Sequence, residues 1–357
     1  MGHPALSPAV DSTAPGSPID WGVAAATAHR LLPTGPAVAA DEAAAVVRRL
    51  RVLAITAEEH VRDLTGMDDG VSPRPAEVVD RRGWVDAAAE GLRLLLAENR
   101  AGSAEGMARR VVARTAGMQI GVALAFLGSR VLGQYDPFGG PASSPGQLLL
   151  VAPNVLTVQR ALDVPAEDFR LWVCLHEATH RLQFNAVPWL RDHFAGHVQA
   201  FVGATEDPDS LAGMLGRLPA ALRGARRGEA SDALALLTLL QSPEQRAVLD
   251  RLLALATLLE GHADHVMDAV GPRVVPSVRL IRQRFTARRQ GGGLTERVMR
   301  ALLGIDAKLR QYAEGAAFTR HVVEAVGMAG FNAVWTSPET LPTRAEIADP
   351  AAWLRRV

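Results

Sequence analysis

Phe169-Arg-Leu-Trp-Val-Cys-Leu-His-Glu-Ala-Thr-His-Arg-Leu-Gln-Phe184 is the stretch on which the reading of this chain turns. At its centre, His176-Glu-Ala-Thr-His180 is an HExxH pentapeptide in a segment of helix-forming composition. Histidines four apart share one helix face, so both imidazoles can reach one metal ion. Glu177, beside the first of them, is then placed to act as a base on a water at that ion. Phe169, Trp172, Val173, His176 and His180 fall on one side at helical spacing, while Leu171, Cys174, Leu175, Ala178 and Leu182 face elsewhere. A helix that is apolar nearly all round belongs in the centre of a fold. Two histidines and a glutamate in that setting are costly unless compensated; a zinc ion compensates them, and ordinary hydrogen bonding is the alternative. Cys174 points away from the histidines and reads as core.

Working outward, Pro165 suits a first helical turn, and Glu167 and Asp168 favour its positive end. The motif helix is therefore expected from Pro165 to about Phe184. Before it, the Pro-, Gly- and Ser-rich loop Tyr135–Gly146 leads into Gln147-Leu-Leu-Leu-Val-Ala152, the clearest strand, halted at Pro153-Asn154. That strand reads either as a sheet edge able to pair with an extended peptide or as a plain core strand.

Most of the remainder has a three-to-four residue apolar spacing. Helices are expected over 38–65, 83–98 and 104–133, then, beyond a segment at 188–204, over 211–223, 230–241, 243–270, 294–303 and 305–327. Gly117, Gly121 and Gly128 lie near one side of the third helix and suit close helix packing. Gly291-Gly-Gly293 reads as a flexible connection. The pattern predicts a mainly α protein with a small β-element. It has a disordered tail at 1–18, a helical lobe at 19–135 and a catalytic lobe at 136–357, the two lobes forming one compact domain.

Composition excludes several classes. The chain has 357 residues, 48% hydrophobic and 21% charged, as in ordinary globular proteins. Lys+Arg and Asp+Glu are equal at 38 each, so no global charge favours nucleic acid or an anionic membrane. The basic run 223–227 has no aromatic and 284–289 a single one, Phe285, too few to form a base-stacking platform, so both read as solvated helix faces. The apolar stretch Met118–Leu127 is too short to span a bilayer before Arg130. Cys174 is the only cysteine, which excludes an internal disulfide and agrees with a reducing compartment. The N-terminal stretch lacks the pattern of a signal peptide, so a cytoplasmic location is expected.

A catalytic zinc needs a third protein ligand and an open position. Extension to HExxHxxGxxH fails, because Gln183 and Ala186 stand where glycine and histidine would be required. The better candidate is Glu260 in Leu258-Leu-Glu-Gly-His-Ala-Asp-His265, with His262, His265, His193 and Asp192 as rivals. Asp264 is four residues beyond Glu260 on the same face, suited to orienting a ligand histidine from behind.

This ExxxD arrangement resembles the glutamate-zincin (gluzincin) pattern, in which a second helix supplies the third ligand. Further blocks are Val79-Asp-Arg-Arg-Gly-Trp84, Val131-Leu-Gly-Gln-Tyr-Asp136, Leu150-Val-Ala-Pro-Asn154, Pro188-Trp-Leu-Arg-Asp-His193 and Lys308-Leu-Arg-Gln-Tyr312. With them the chain resembles, over roughly 19–336, the actinobacterial zincin-like metallopeptidase family. Its members are often labelled zinc-dependent metalloprotease or deazaflavin-cofactor biosynthesis-associated protein; no residue here supports the cofactor label. The resemblance implies a mostly helical zincin fold, one catalytic Zn2+ on His176, His180 and Glu260, and Glu177 as base.

The expected activity is zinc-assisted hydrolysis of a peptide bond, with a small non-peptide amide as the alternative substrate and a silent zinc-binding scaffold as the alternative role. Tyr312, His262, His265 and His321 are candidates for stabilising the oxyanion.

Overall fold

Leu148, Leu149, Leu150 and Val151 are almost completely buried, and they anchor the sheet around which the first part of the chain folds. The computed structural model describes residues 18–96, 107–140, 146–206, 243–290 and 305–357. The expected tail, the helices at 211–223, 230–241 and 294–303, and the Gly291–Gly293 connection lie outside the described residues. The protein is mainly helical with one small sheet, as its apolar spacing predicts.

The sheet has three strands: β1 (Glu77–Val79), β2 (Gly133–Asp136) and β3 (Gln147–Val151), in the order β1-β3-β2. β3 pairs in parallel with β1 (Val78 opposite Leu150) and antiparallel with β2 (Gln134 opposite Leu149). It is thus the central strand, so of the two readings the core strand holds and the peptide-pairing edge does not: both of its hydrogen-bonding sides are already used. Its run of consecutive apolar residues fits a strand covered on both faces. β1 and β2 escaped the sequence reading because strands of three and four residues carry too little periodicity to register.

The chain divides into two compact units that interleave in sequence: residues 1–51 with 76–158, and 52–75 with 159–357. The sequence reading had a single break after residue 135. In the first unit, α1 (Trp21–Leu31), α3 (Arg81–Leu95) and α4 (Met107–Gly128) pack with the sheet around Trp21, Trp84, Val85, Leu124, Leu149 and Val151. Asp20 and Asp80 cap α1 and α3, each accepting a backbone N–H from the first turn.

Gly117 and Gly121 let α4 lie directly on α1: a Cβ at Gly117 would collide with the Asp20 carbonyl, and one at Gly121 with the Ala24 carbonyl. Within α4, Arg110–Gly128 is long and apolar enough by composition to cross a membrane, which corrects the shorter stretch read from sequence. Glycine packing on α1 accounts for one face of that apolarity, while Val111, Val112, Met118 and Val122 remain exposed.

The second unit is built on α6 (Ala166–Ala186), α7 (Leu190–Glu206), α8 (Pro243–Ala269), α9 (Val278–Gln290) and α10 (Ile305–Phe331). Helix α2 (Ala40–Thr65) contributes residues to both units, as does α5 (Ala152–Leu162), which starts where β3 ends. Pro153 reads in the sequence as a stop, but it occupies the first turn of α5, where proline needs no amide donor. Helix α6 ends where Val187 turns extended ahead of Pro188, as a residue before proline is driven to do. Helix α8 ends at Gly271, whose φ of 69° places it in the left-handed region that closes helices.

Replacing Gly121 with valine should destabilise the protein by about 1–3 kcal/mol through overpacking at the α1–α4 contact. A lowered thermal or denaturant midpoint is the readout; an unchanged midpoint would contradict the direct backbone contact.

Candidate metal centre

Helices α6 and α8 pack against each other within the second unit. Their contact brings His176, His180 and Glu260 together, each presenting one donor atom within 4.8 Å of the others. His176 Nε2 and His180 Nε2 are 3.2 Å apart, and Glu260 Oε2 lies 3.4 Å and 3.6 Å from them. Zinc bonds of about 2.0–2.1 Å in a tetrahedron hold neighbouring ligand atoms roughly 3.3 Å apart. The three measured separations bracket that value, so the donor set fits zinc.

Hydrogen bonding behind the rings points the same way. His180 Nδ1 lies 2.8 Å from Gln183 Oε1, an acceptor, so in the neutral ring the proton sits on Nδ1 and the Nε2 lone pair faces the centre. His176 Nδ1 faces Met267 Sδ at 3.3 Å, again an acceptor only. Two imidazole lone pairs and a carboxylate oxygen therefore converge on one point. Without a cation such a cluster repels itself or takes up protons. Burial pulls the His180 pKa down, but the hydrogen bond and charge of Glu260 outweigh it and raise it. Burial likewise pushes Glu260 up, and the two histidines hold it well below the usual carboxylate range.

Gln183 does more than orient His180. Its amide nitrogen donates to the Leu259 carbonyl at 3.0 Å and to His262 Nδ1 at 3.0 Å. One fully buried side chain thus ties His180 on α6 to the turn of α8 that carries Glu260. In the sequence Gln183 marks only the absence of the glycine that an HExxHxxGxxH extension requires. The signal that could have found it was its spacing, one turn after His180 on a buried helix.

Glu177 is 6% exposed, and its charge acts on His180. Asp264 does not orient a ligand histidine, since the Nδ1 atoms are taken by Gln183 and Met267. It pairs with Arg282 instead, at 2.6 Å, and Arg282 reaches Asp268 as well. The carboxylate found a guanidinium on α9 that no periodicity in α8 could announce.

Among the described residues, none of the rival ligands joins the triad. His193 stacks near His197 on α7, with ring centroids 4.3 Å apart. His262 is fully buried beside Phe331 and Trp335, and burial drives its pKa down to about 3, so it stays neutral. His265 is half-buried and His321 exposed. Tyr312 lies on α10, but its side chain is outside the described residues.

Two features fix the helices that carry the triad. Arg181, on the motif helix, is buried and donates to Glu58 Oε2 and to the Arg74 carbonyl, both at 2.6 Å; Glu58 also accepts from Arg62 at 2.7 Å. On the other ligand helix, Gly261 meets Gly315 of α10, and a Cβ on either would strike the opposing backbone.

The chain belongs to the zincin-like metallopeptidase family, whose profile matches residues 19–354. It is also similar to a crystal structure from Chloroflexus aurantiacus, described provisionally as a hydrolase with a novel fold. The two share 32% sequence identity and a TM-score of 0.65, covering 95% of this chain and 98% of that one. A search of curated proteins found no match. Family membership implies a zinc-dependent hydrolase.

Gln183→Leu should weaken zinc binding by roughly 10–100-fold, the usual effect of losing a group that orients a ligand. Chelator competition measures it, and wild-type affinity in the variant would remove Gln183 from the site. Gly261→Ala, beside Glu260 but supplying no donor atom itself, should lower both zinc affinity and the melting temperature by forcing α8 away from α10. A variant changed in neither would show that the Gly261–Gly315 contact does not hold Glu260.

Proposed function

We propose that this protein is a metallopeptidase that hydrolyses peptide bonds, with His176, His180 and Glu260 as zinc ligands and Glu177 as general base. The observation that carries the reading is the set of three donor separations, 3.2, 3.4 and 3.6 Å, matched to one tetrahedral ion. Three protein ligands leave a fourth position for water or substrate, as catalytic zinc sites do and closed structural sites do not. Zinc, when bound, supplies a Lewis acid that polarises the scissile carbonyl and makes water more acidic.

The chain's own residues perform the proton transfers. Glu177 takes a proton from the attacking water and returns it to the departing amide nitrogen. Its place next to His176, with its charge acting on His180, supports this role. Gln183 keeps the His180 proton on Nδ1, so that ring does not compete with the water as an acid. His262, neutral and packed against Phe331 and Trp335, shapes the wall behind Glu260 and carries no proton in the reaction. The single cysteine, buried and unpaired, supports a reducing, cytoplasmic setting.

Glu177→Gln should retain zinc and lose at least about 100-fold in turnover of a peptide library. Retained zinc with unchanged turnover would falsify the mechanism. Glu260→Ala should lose more zinc affinity than the roughly 10–100-fold of an outer-shell change, measured by metal analysis after dialysis. Cleavage of small amides but of no peptide, abolished by Glu177→Gln, would move the substrate class and leave the site assignment standing.

A further inference from the structure

Two of the sequence blocks that the metal centre leaves unused, Val79–Trp84 and Leu150–Asn154, converge on a cavity of about 500 Å3 in the first unit. That volume is within the range of small-molecule sites. Its walls are formed by the α1–α2 linker, the first turns of α2, strand β1, the start of α3 and the start of α5, and it shares no residue with the metal centre. Leu32, Val38, Val46, Val47, Val79 and Leu156 make most of the lining aliphatic.

Arg81 is also in that lining, and only 9% of it is exposed. Its Nε donates to Asn154 Oδ1 at 2.7 Å, and Nη1 donates to the carbonyls of Pro33 and Thr34 at 2.9 and 2.8 Å. All three acceptors are neutral. Nη2 has no hydrogen-bond partner, and no carboxylate pairs with the guanidinium, among the described residues. Burial alone pulls its pKa down, with no counter-charge acting against it. Asp80, the carboxylate in the lining, is engaged at the helix start, where Oδ1 accepts from Gly83 N at 2.8 Å. The guanidinium also stands at the N-terminus of the fifteen-residue helix α3, the positive end of its dipole.

A buried cation without an anion costs several kcal/mol in general terms, and an arriving anion recovers that cost. We propose that this cavity is a binding site for a small apolar molecule bearing one anionic head group, of the class of medium-chain carboxylates, with Arg81 Nη2 as the donor to the head and the aliphatic walls taking the chain. A carboxylate suits the planar guanidinium, and charge-assisted hydrogen bonds of this type are about twice as strong as neutral ones. A neutral amphiphile of equal length gains only the wall contacts, and a cationic one meets like charge.

Isothermal titration of the full-length zinc-loaded protein with octanoate, 1-octanol and octylamine tests this. The expected result is one octanoate per chain, at least tenfold tighter than 1-octanol, with no binding of octylamine. Arg81→Gln should bring octanoate down to the level of 1-octanol. A guanidinium that merely braces Asn154 and the α1–α2 linker would lower the melting temperature in this variant and leave the octanoate-to-octanol ratio unchanged. Ala43→Trp fills the cavity from α2 and keeps Arg81, so it should abolish octanoate binding; it carries the test alone if Arg81→Gln does not fold. Equal binding of octanoate and 1-octanol, several equivalents per chain, or no binding to the wild type would each overturn the proposal. None of these readouts uses hydrolysis, so the result stands apart from that of the metal centre.

Discussion

The second unit depends on keeping three electron-rich side chains aimed at one point in a poorly solvated interior. Imidazole lone pairs and a carboxylate oxygen at 3.2–3.6 Å from one another are unfavourable company unless a cation joins them. The surrounding structure opposes that repulsion by denying each group an escape. Gln183 holds His180 from behind and grips the α8 backbone with its other end. Gly261 and Gly315 bring α8 and α10 to backbone contact one residue from Glu260, which leaves α8 no room to retreat on that side.

The motif helix is fixed by a different device on another of its faces. Arg181 and Glu58 form a buried ion pair whose remaining valences are used by Arg62 and the Arg74 carbonyl. Buried pairs add little net stability, but a half-broken one is severely destabilising. Such a pair therefore penalises any rotation of α6 that would separate it. Rotational register is what an HExxH helix needs, because a small turn about its axis would carry both histidines off the metal. Arg282 acts similarly further along, pairing with Asp264 and Asp268 of α8 while lying over the Trp172 ring of α6.

Legibility from sequence followed the length of each pattern. The long helices α2, α6, α8 and α10 could be read because four or more turns of apolar spacing outweigh local irregularities. Strands β1 and β2 could not, and Pro153 misled because a proline ends one element and opens another with equal ease. β3 was legible as a strand but not as a central one, since two-sided pairing comes from partners 15 and 72 residues away (Gln134↔Leu149 for β2, Glu77↔Leu149 for β1) and leaves no mark on β3 beyond its unbroken apolar run. Asp264 was misread for the same reason: an i, i+4 relation to Glu260 says which face it shares, not which neighbour arrives there.

The sequence by itself determined the chemistry at the level of residue types. HExxH spacing on an all-round apolar helix points to a metal, and Glu260 in a second apolar helix is the better candidate among rivals at His262, His265, His193 and Asp192, because helical periodicity says only which side chains share a face. Only the tertiary structure decided that α6 and α8 meet at the turn where those faces coincide, that Gln183 rather than Asp264 holds the His180 ring, and that Arg81 is buried against neutral acceptors beside an aliphatic cavity. Each of these is a relation between segments far apart in the chain. It is set by packing and by the cost of leaving polar groups unpaired, neither of which any single segment records.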